Sequence, residues 1–145
     1  MSFNDENRSD FVIAYALARV GFGINLFTHG LSRIGAIPAF EESLRNMFSK
    51  TWIPLPLVTA AGYAIPPIEL TVGALIILGL LLRPALTIGM LLMWLLTFGT
   101  CLLQQWSVAS EQLIYMAFYA GLIACARFNG LSLDTLRKPL TPGQS

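Results

Sequence analysis

Four long apolar stretches that carry almost no charge constrain this chain more than any other feature of its sequence. They cover residues 11–31, 57–82, 84–103 and 106–126. Each stretch is at least as long as the roughly 20 mainly apolar residues that an α-helix needs to cross a bilayer. Unbroken apolar runs of this length without alternation indicate helices, whose backbone groups are paired internally in lipid. The sequence therefore predicts an all-α integral membrane protein, an antiparallel four-helix bundle that forms one domain over residues 1–145.

The composition agrees with a lipid environment and excludes several classes of protein. Charged residues make up 12% of the chain, against about a quarter in soluble domains. The net charge of +1 and the single histidine argue against a nucleic-acid partner and against a metal site. Cys101 is predicted near the outer end of the third helix and Cys125 near the inner end of the fourth, so their depths in the membrane differ too much for a disulfide. We expect no metal and no covalent cofactor.

The connection between the first two apolar stretches is the longest, and part of it has helical periodicity. Within residues 38–50, apolar side chains recur at near-helical spacing opposite polar ones, Glu41 among them. This pattern predicts a short interfacial helix on the membrane surface, with an irregular loop as the alternative.

The distribution of basic residues favours one orientation in the membrane. Five lie in the tails and in the loop between the second and third stretches, and three lie in the first loop. The two groups are Arg8, Arg83, Arg127, Arg137 and Lys138 against Arg33, Arg45 and Lys50. The bias predicts that both tails, residues 1–10 and 127–145, are cytoplasmic.

Small residues on two of the predicted helices form candidate packing faces. Ala14 and Ala18 are four residues apart on the first helix, and Ala117, Gly121 and Cys125 have the same spacing on the fourth. Small side chains allow helix backbones to approach closely in membranes. The pattern therefore predicts helix contacts at these faces.

Two charges fall well inside the apolar stretches. Arg19 lies about 18 Å from the outer end of the first helix, and Glu69 about 18 Å from that of the second. Equal depth predicts a buried ion pair between them, serving either as a static bridge or as the inner part of a ligand or proton site. Pro66 and Pro67 precede Glu69 and predict a break in the second helix, either a simple kink or part of such a site.

A second polar group is predicted near the outer ends of the helices. His29 and Arg33 are one turn apart, and Glu111 lies near the start of the fourth helix. A histidine near a carboxylate can exchange protons around neutral pH, and a quinone head group needs such polar contacts beside an apolar cleft. His29, Arg33 and Glu111 are therefore candidates for a ligand or proton site. The alternative is an interfacial histidine paired with a loop.

Several short motifs, taken in order, resemble the DoxX-like family of bacterial membrane proteins. The first is Arg19-x-Gly21 followed by Phe27-Thr28-His29-Gly30-Leu31-x-Arg33. The second is Pro67-Ile68-Glu69-Leu70-x-x-Gly73, followed by Leu78-Gly79-Leu80-Leu81-x-Arg83-Pro84. The third is Gly130-Leu131-Ser132-Leu133-Asp134. The resemblance implies a multi-pass four-helix bundle in the bacterial inner membrane, and a link to redox enzymes such as thiosulfate:quinone oxidoreductase.

These observations support three hypotheses about function. The first is a membrane subunit that binds quinone or a similar apolar ligand and supports electron transfer by a partner oxidoreductase. The second is a non-catalytic scaffold or assembly factor, and the third is a small transporter. Besides the lipid bilayer, an oxidoreductase subunit and further copies of the chain are the candidate partners. Catalysis by the isolated chain is not expected, and no catalytic residue is assigned.

Overall fold

The computed structural model describes residues 3–136, and these residues are almost entirely helical. The helices are α1 (Phe3–Ile34), α2 (Ile37–Phe48), α3 (Leu55–Leu78), α4 (Leu82–Leu102), α5 (Trp106–Ala124) and α6 (Leu133–Leu136), with a 3₁₀ turn at Ala126–Phe128. The described part of the chain contains no strand. The predicted all-α class is thus confirmed.

Three of these helices are long and apolar enough to cross a membrane. The spans are Arg8–Ile34 in α1, Leu55–Leu78 in α3 and Leu82–Leu102 in α4. Helix α5 has 19 residues and is not among the three. A membrane protein with at least three candidate spans is therefore supported, while the fourth span stays a prediction.

Two glycines set the antiparallel register of α1 on α3. A Cβ added at Gly30 would collide with the backbone of Leu70, and one at Gly73 would collide with the backbone of Phe27. The two helix backbones can approach this closely only because glycine has no side chain at these two positions. The register places Ile34, where α1 ends, beside the middle of α3.

Helix α2 continues from this point along the first half of α3. Glu41 is buried against Gly62, and Phe48 lies near Gly99 of α4. The predicted short helix is thus confirmed as a helix, and it packs on α3; its place at the membrane surface stays a prediction. Glu41 is buried because Gly62 leaves space for its side chain, which contradicts its predicted place on the polar face.

The turn between α3 and α4 differs from the predicted boundary at residues 82–84. Gly79 adopts a left-handed conformation, with φ +64°, and ends α3 at Leu78. Its amide hydrogen-bonds to the carbonyl oxygen of Ile76 at 3.2 Å. Glycine takes this conformation without steric cost, so the helix ends four residues earlier than its apolar pattern indicates.

Helix α3 continues through Pro66 and Pro67, so the chain does not unwind there, and the alternative of a simple kink stays a prediction. Two missing N–H groups remove two hydrogen bonds, but the Pro66 ring is fully buried and its packing supports the helical path. No interruption of α3 is therefore available to form a site.

The core lies where α3, α4, α5 and the middle of α1 meet. Its fully buried side chains include Tyr119, Ile76 and Leu86. Tyr119 packs its hydroxyl against Gly89 and its ring edge-to-face on Phe22, with centroids 4.6 Å apart. We name the two ends of the bundle after a residue at each. The Trp52 end holds the α2–α3 and α4–α5 connections, and the Arg19 end holds the α3–α4 turn.

Helices α1 and α5 meet through larger side chains than predicted. Phe22 contacts α5, and the Tyr15 hydroxyl donates to the carbonyl oxygen of Leu122 at 2.9 Å. Beyond these contacts, the small residues of the two helices lie on either side of an open groove, and a Cβ at Gly121 would meet no atom within 4 Å. The predicted small-residue contact is therefore wrong, since the bulky Phe22 and Tyr15 set the spacing of the helices.

Candidate functional site

An ion pair between α1 and α3 lies near the middle of the bundle. Arg33 Nη1 donates to both carboxylate oxygens of Glu69, at 2.6 and 2.7 Å. Glu69 is 2% exposed, whereas the Arg33 side chain is 31% exposed. The ring of Phe40, in the first turn of α2, lies 4.9 Å from the guanidinium carbon. A buried carboxylate is costly unless it is paired, so the contact with Arg33 offsets part of the cost of burying Glu69.

The predicted pair between Arg19 and Glu69 does not form. Arg19 is buried, as expected, but its guanidinium donates to the carbonyl oxygens of Ile76 at 3.0 Å and Leu131 at 2.8 Å. The prediction took the end of the first helix as the membrane surface. Because α1 ends beside the middle of α3, Arg33 takes the depth of Glu69, and Arg19 lies about 15 Å away at the Arg19 end.

The Arg19 end is closed by the segment that follows α5. The Asp134 carboxylate accepts hydrogen bonds from the amides of Leu81, at 2.9 Å, and Leu82, at 3.0 Å. It therefore caps the start of α4, as a carboxylate at a helix N-terminus does. Arg19 in turn donates to the carbonyl oxygen of Ile76 in the last turn of α3. The cluster holds the α3–α4 turn in place, and we assign it a structural role.

An apolar cleft opens beside α2 at the Trp52 end. It has a volume of about 320 Å³ and lies between α2, the first half of α3 and the last half of α4. Leu44, Phe48 and Trp52 form one wall, and Ile65 lies at its inner end. We call it the Trp52 cleft. Sequence reasoning missed it because its walls are ordinary apolar residues with no distinguishing motif.

Polar atoms reach the Trp52 cleft at its rim and beside it. Thr100 and Gln105 line it on the α4 side. Behind α2, the buried Glu41 accepts a hydrogen bond from the Thr59 hydroxyl at 2.6 Å, and Arg45 Nε lies 3.7 Å from the same carboxylate. Sequence reasoning also missed Glu41 as a buried group, although its i,i+4 relation to Arg45 was a visible signal.

The structure separates the residues of the predicted outer polar group. His29 is exposed on α1, one turn before Arg33, and the register places it opposite the middle of α3. Glu111 is exposed near the start of α5, next to Gln112, whose side chain accepts a hydrogen bond from Thr100 at 2.8 Å. Along the bundle axis, His29 and Glu111 are about 15 Å apart. Arg33 therefore belongs with Glu69, and Glu111 belongs to the Trp52 end.

Comparison with known families assigns the chain. A family model described as methylamine utilisation protein MauE matches residues 12–112. The chain belongs to the MauE family. The resemblance to DoxX-like proteins is thus corrected, because the family match rests on most of the chain and the resemblance rested on short fragments. Comparisons with curated proteins and with solved structures found no match.

The MauE segment contains the main polar features described above. Arg19, Arg33 and Glu69 lie within it, as do all the residues that line the Trp52 cleft. The cap formed by Asp134 lies beyond it. The ion pair and the cleft are therefore part of the region that identifies this chain as a MauE protein.

Proposed function

We propose that this MauE protein is a four-span membrane subunit of a redox system in methylamine utilisation, and that its Trp52 cleft binds a quinone or a similar small apolar ligand. Electron transfer belongs to a partner oxidoreductase. The family description, methylamine utilisation, supports the process, and the cleft beside a buried ion pair supports the ligand class.

The position of the cleft relative to Glu69 is the observation that carries the proposal. Ile65, at the inner end of the cleft, precedes Glu69 by one turn of α3, which is about 6 Å along the axis. Ligand sites of this kind combine apolar walls with a few placed polar groups. Neither Arg33 nor Glu69 lines the cleft itself. Arg33 binds Glu69 through Nη1 alone among its nitrogens in the described residues, and its other N–H groups are the donors that we propose for a ligand carbonyl oxygen reaching past Ile65.

Helix α5 completes the proposed four-span arrangement. Its 19 residues extend about 28 Å, close to the hydrocarbon thickness of a bilayer. Glu111 lies within two turns of its start, from which a glutamate side chain can reach the interface. An even number of spans places both termini on one side, and the basic residues favour the cytoplasmic side of an inner membrane. Arg137 and Lys138, which contribute to this bias, lie outside the described residues.

Quenching of Trp52 fluorescence tests ligand binding directly. Trp94→Phe and Trp106→Phe leave Trp52 as the single tryptophan, and it lines the cleft. In lipid nanodiscs we expect a short-chain ubiquinone to quench Trp52 with saturation. Ala61→Phe, which fills the cleft, should abolish the saturable part, whereas Ala117→Phe in the α1–α5 groove should not.

Two outcomes would overturn this proposal. If the quinone quenches Trp52 in Ala61→Phe and in Ala117→Phe as it does in the parent, the quinone reaches Trp52 from the lipid and does not bind in the cleft. If quinone does not bind, and methylamine-dependent growth is lost on deletion but not in Ala61→Phe, the scaffold hypothesis is the better one. The transporter hypothesis was motivated by a break at Pro66 and Pro67 and by the buried charges, and the continuous α3 leaves only the buried charges in its support.

A further inference from the structure

A groove between α1 and α5 opens on the apolar surface of the bundle. It has a volume of about 790 Å³. Ala14 and Ala18 of α1 line one side, and Ala117 and Gly121 of α5 line the other. We call it the α1–α5 groove. It shares no lining residue with the Trp52 cleft.

Aromatic rings and one cation close the groove at the Arg19 end. Phe11 stacks on Phe128, with centroids 5.1 Å apart and planes 20° apart. The guanidinium of Arg127 lies over the Phe128 ring at 4.7 Å and lines the groove. A cation–π contact of this kind restricts where the guanidinium points while leaving its N–H groups available. The groove is therefore apolar along its length and cationic at one end.

Arg127 is the one charged residue among the described residues that line the groove. Arg8 is one turn before Phe11 on α1, and Asp10 is one turn before Ala14. These two opposite charges lie beside the groove, and neither of them lines it. A long apolar groove with a cation at the level of the membrane surface is complementary to an anionic phospholipid. The apolar length matches an acyl chain, and the cation matches the phosphate.

We propose that the α1–α5 groove binds an anionic phospholipid, with an acyl chain along Ala18, Ala117 and Gly121 and the phosphate on Arg127. A second copy of the chain fits this surface less well. Two copies in one membrane share an orientation, so a two-fold contact through the groove would bring their Arg127 side chains to the same depth as like charges. The proposal depends on α5 crossing the membrane and not on what the Trp52 cleft binds.

Cys125 gives a direct probe because it is exposed and lines the groove. The full chain is placed in nanodiscs of phosphatidylcholine, phosphatidylglycerol is added in steps, and the rate of N-ethylmaleimide labelling of Cys125 is measured by mass spectrometry. We expect phosphatidylglycerol to protect Cys125. In Arg127→Gln, half-protection should need about fivefold more of this lipid, the size expected for one arginine at an anionic head group.

Matched variants and probes separate the explanations. Arg83→Gln removes an exposed arginine in the first turn of α4, outside the groove, and should leave protection unchanged. Asp10→Asn should strengthen it. Glycerol 1-phosphate at the same concentration should not protect, which distinguishes a lipid from a free phosphate. Cys101, half-buried at the Trp52 end, should label at the same rate throughout if the variants are folded.

Three results would overturn the proposal. Equal protection by phosphatidylcholine alone would show that the head group is not recognised. An equal loss of Cys125 protection in Arg83→Gln and Arg127→Gln would indicate that the lipid responds to the general surface charge and not to Arg127. Cross-linking of Cys125 to Cys125 in every lipid mixture would place a second copy in the groove. A failure of quinone binding in the Trp52 cleft would leave all of these measurements unaffected.

Discussion

Breaking the ion pair between Arg33 and Glu69 should destabilise the fold strongly and asymmetrically. Arg33→Met leaves the 2%-exposed Glu69 carboxylate without its partner, and we expect a loss of about 3–5 kcal/mol in the free energy of unfolding. Glu69→Gln keeps an oxygen that can accept from Arg33, whose side chain is 31% exposed. The cost should therefore be smaller, about 1–2 kcal/mol.

The pairing itself is measured by the coupling between the two substitutions. In Arg33→Met, replacing Glu69 by Gln removes the unpaired buried charge and should recover part of the loss, so we expect a coupling energy of about 2–3 kcal/mol, at the upper end for residues in contact. The control is the cycle between Arg19→Met and Glu69→Gln. Arg19 is about 15 Å from Glu69, and two charges at that separation interact by about 1 kcal/mol at most in an effective dielectric of about 20.

Reversible unfolding in mixed micelles, with rising sodium dodecyl sulfate and far-UV circular dichroism as the signal, gives these free energies. Wild type, the singles and the doubles are measured under one condition, so detergent effects cancel within each cycle. A larger coupling for Arg19 and Glu69 than for Arg33 and Glu69 would refute the register of α1 on α3. A coupling near zero in both cycles would refute the ion pair.

Three further substitutions test contacts elsewhere in the bundle. Asp134→Ala removes the cap on α4 and should cost about 1–2 kcal/mol in thermal unfolding; an unchanged midpoint would mean that the cap is not formed. Gly62→Ala would place a Cβ 2.9 Å from atoms of Glu41 and should cost about 1–3 kcal/mol as α2 shifts. Its control is Gly21→Ala, which meets no atom within 4 Å and should stay within about 0.5 kcal/mol. Thr59→Val removes the hydrogen bond to Glu41 and should cost about 1–3 kcal/mol, and no change would argue against burial of that carboxylate.

The apolar pattern was sufficient to predict the helices, because each helix in lipid must bury its own backbone hydrogen bonds. The start of α5 at Trp106 and the helix within residues 38–50 followed from spacing alone. The predicted helix boundaries were wrong where a single residue ends a helix through its backbone conformation and leaves the hydropathy unchanged. Gly79 ends α3 within an apolar run, since its φ and not its polarity terminates the helix.

The candidate site was predictable in its residue types but not in its pairing. A charge within an apolar stretch needs a partner, so Arg19 and Glu69 stood out correctly as buried. Which partner each one finds depends on the register between helices, and that register is set by Gly30 and Gly73. Glycines at such contacts are not distinguished in one sequence from other small residues, such as Ala14 or Gly121, which face an open groove.

The end of α1 links the register to the ion pair. A helix that stops beside the middle of α3 leaves its last carbonyl groups in the bundle, and such groups favour a nearby cation. Arg33 lies in this last turn and also binds Glu69, so one guanidinium balances both the helix end and the carboxylate. Phe40, at the start of α2, then covers the same guanidinium. The position where α1 ends and the position of Glu69 on α3 therefore depend on one another. If either were shifted by one helical turn, Arg33 could no longer lie both in the last turn of α1 and against the Glu69 carboxylate.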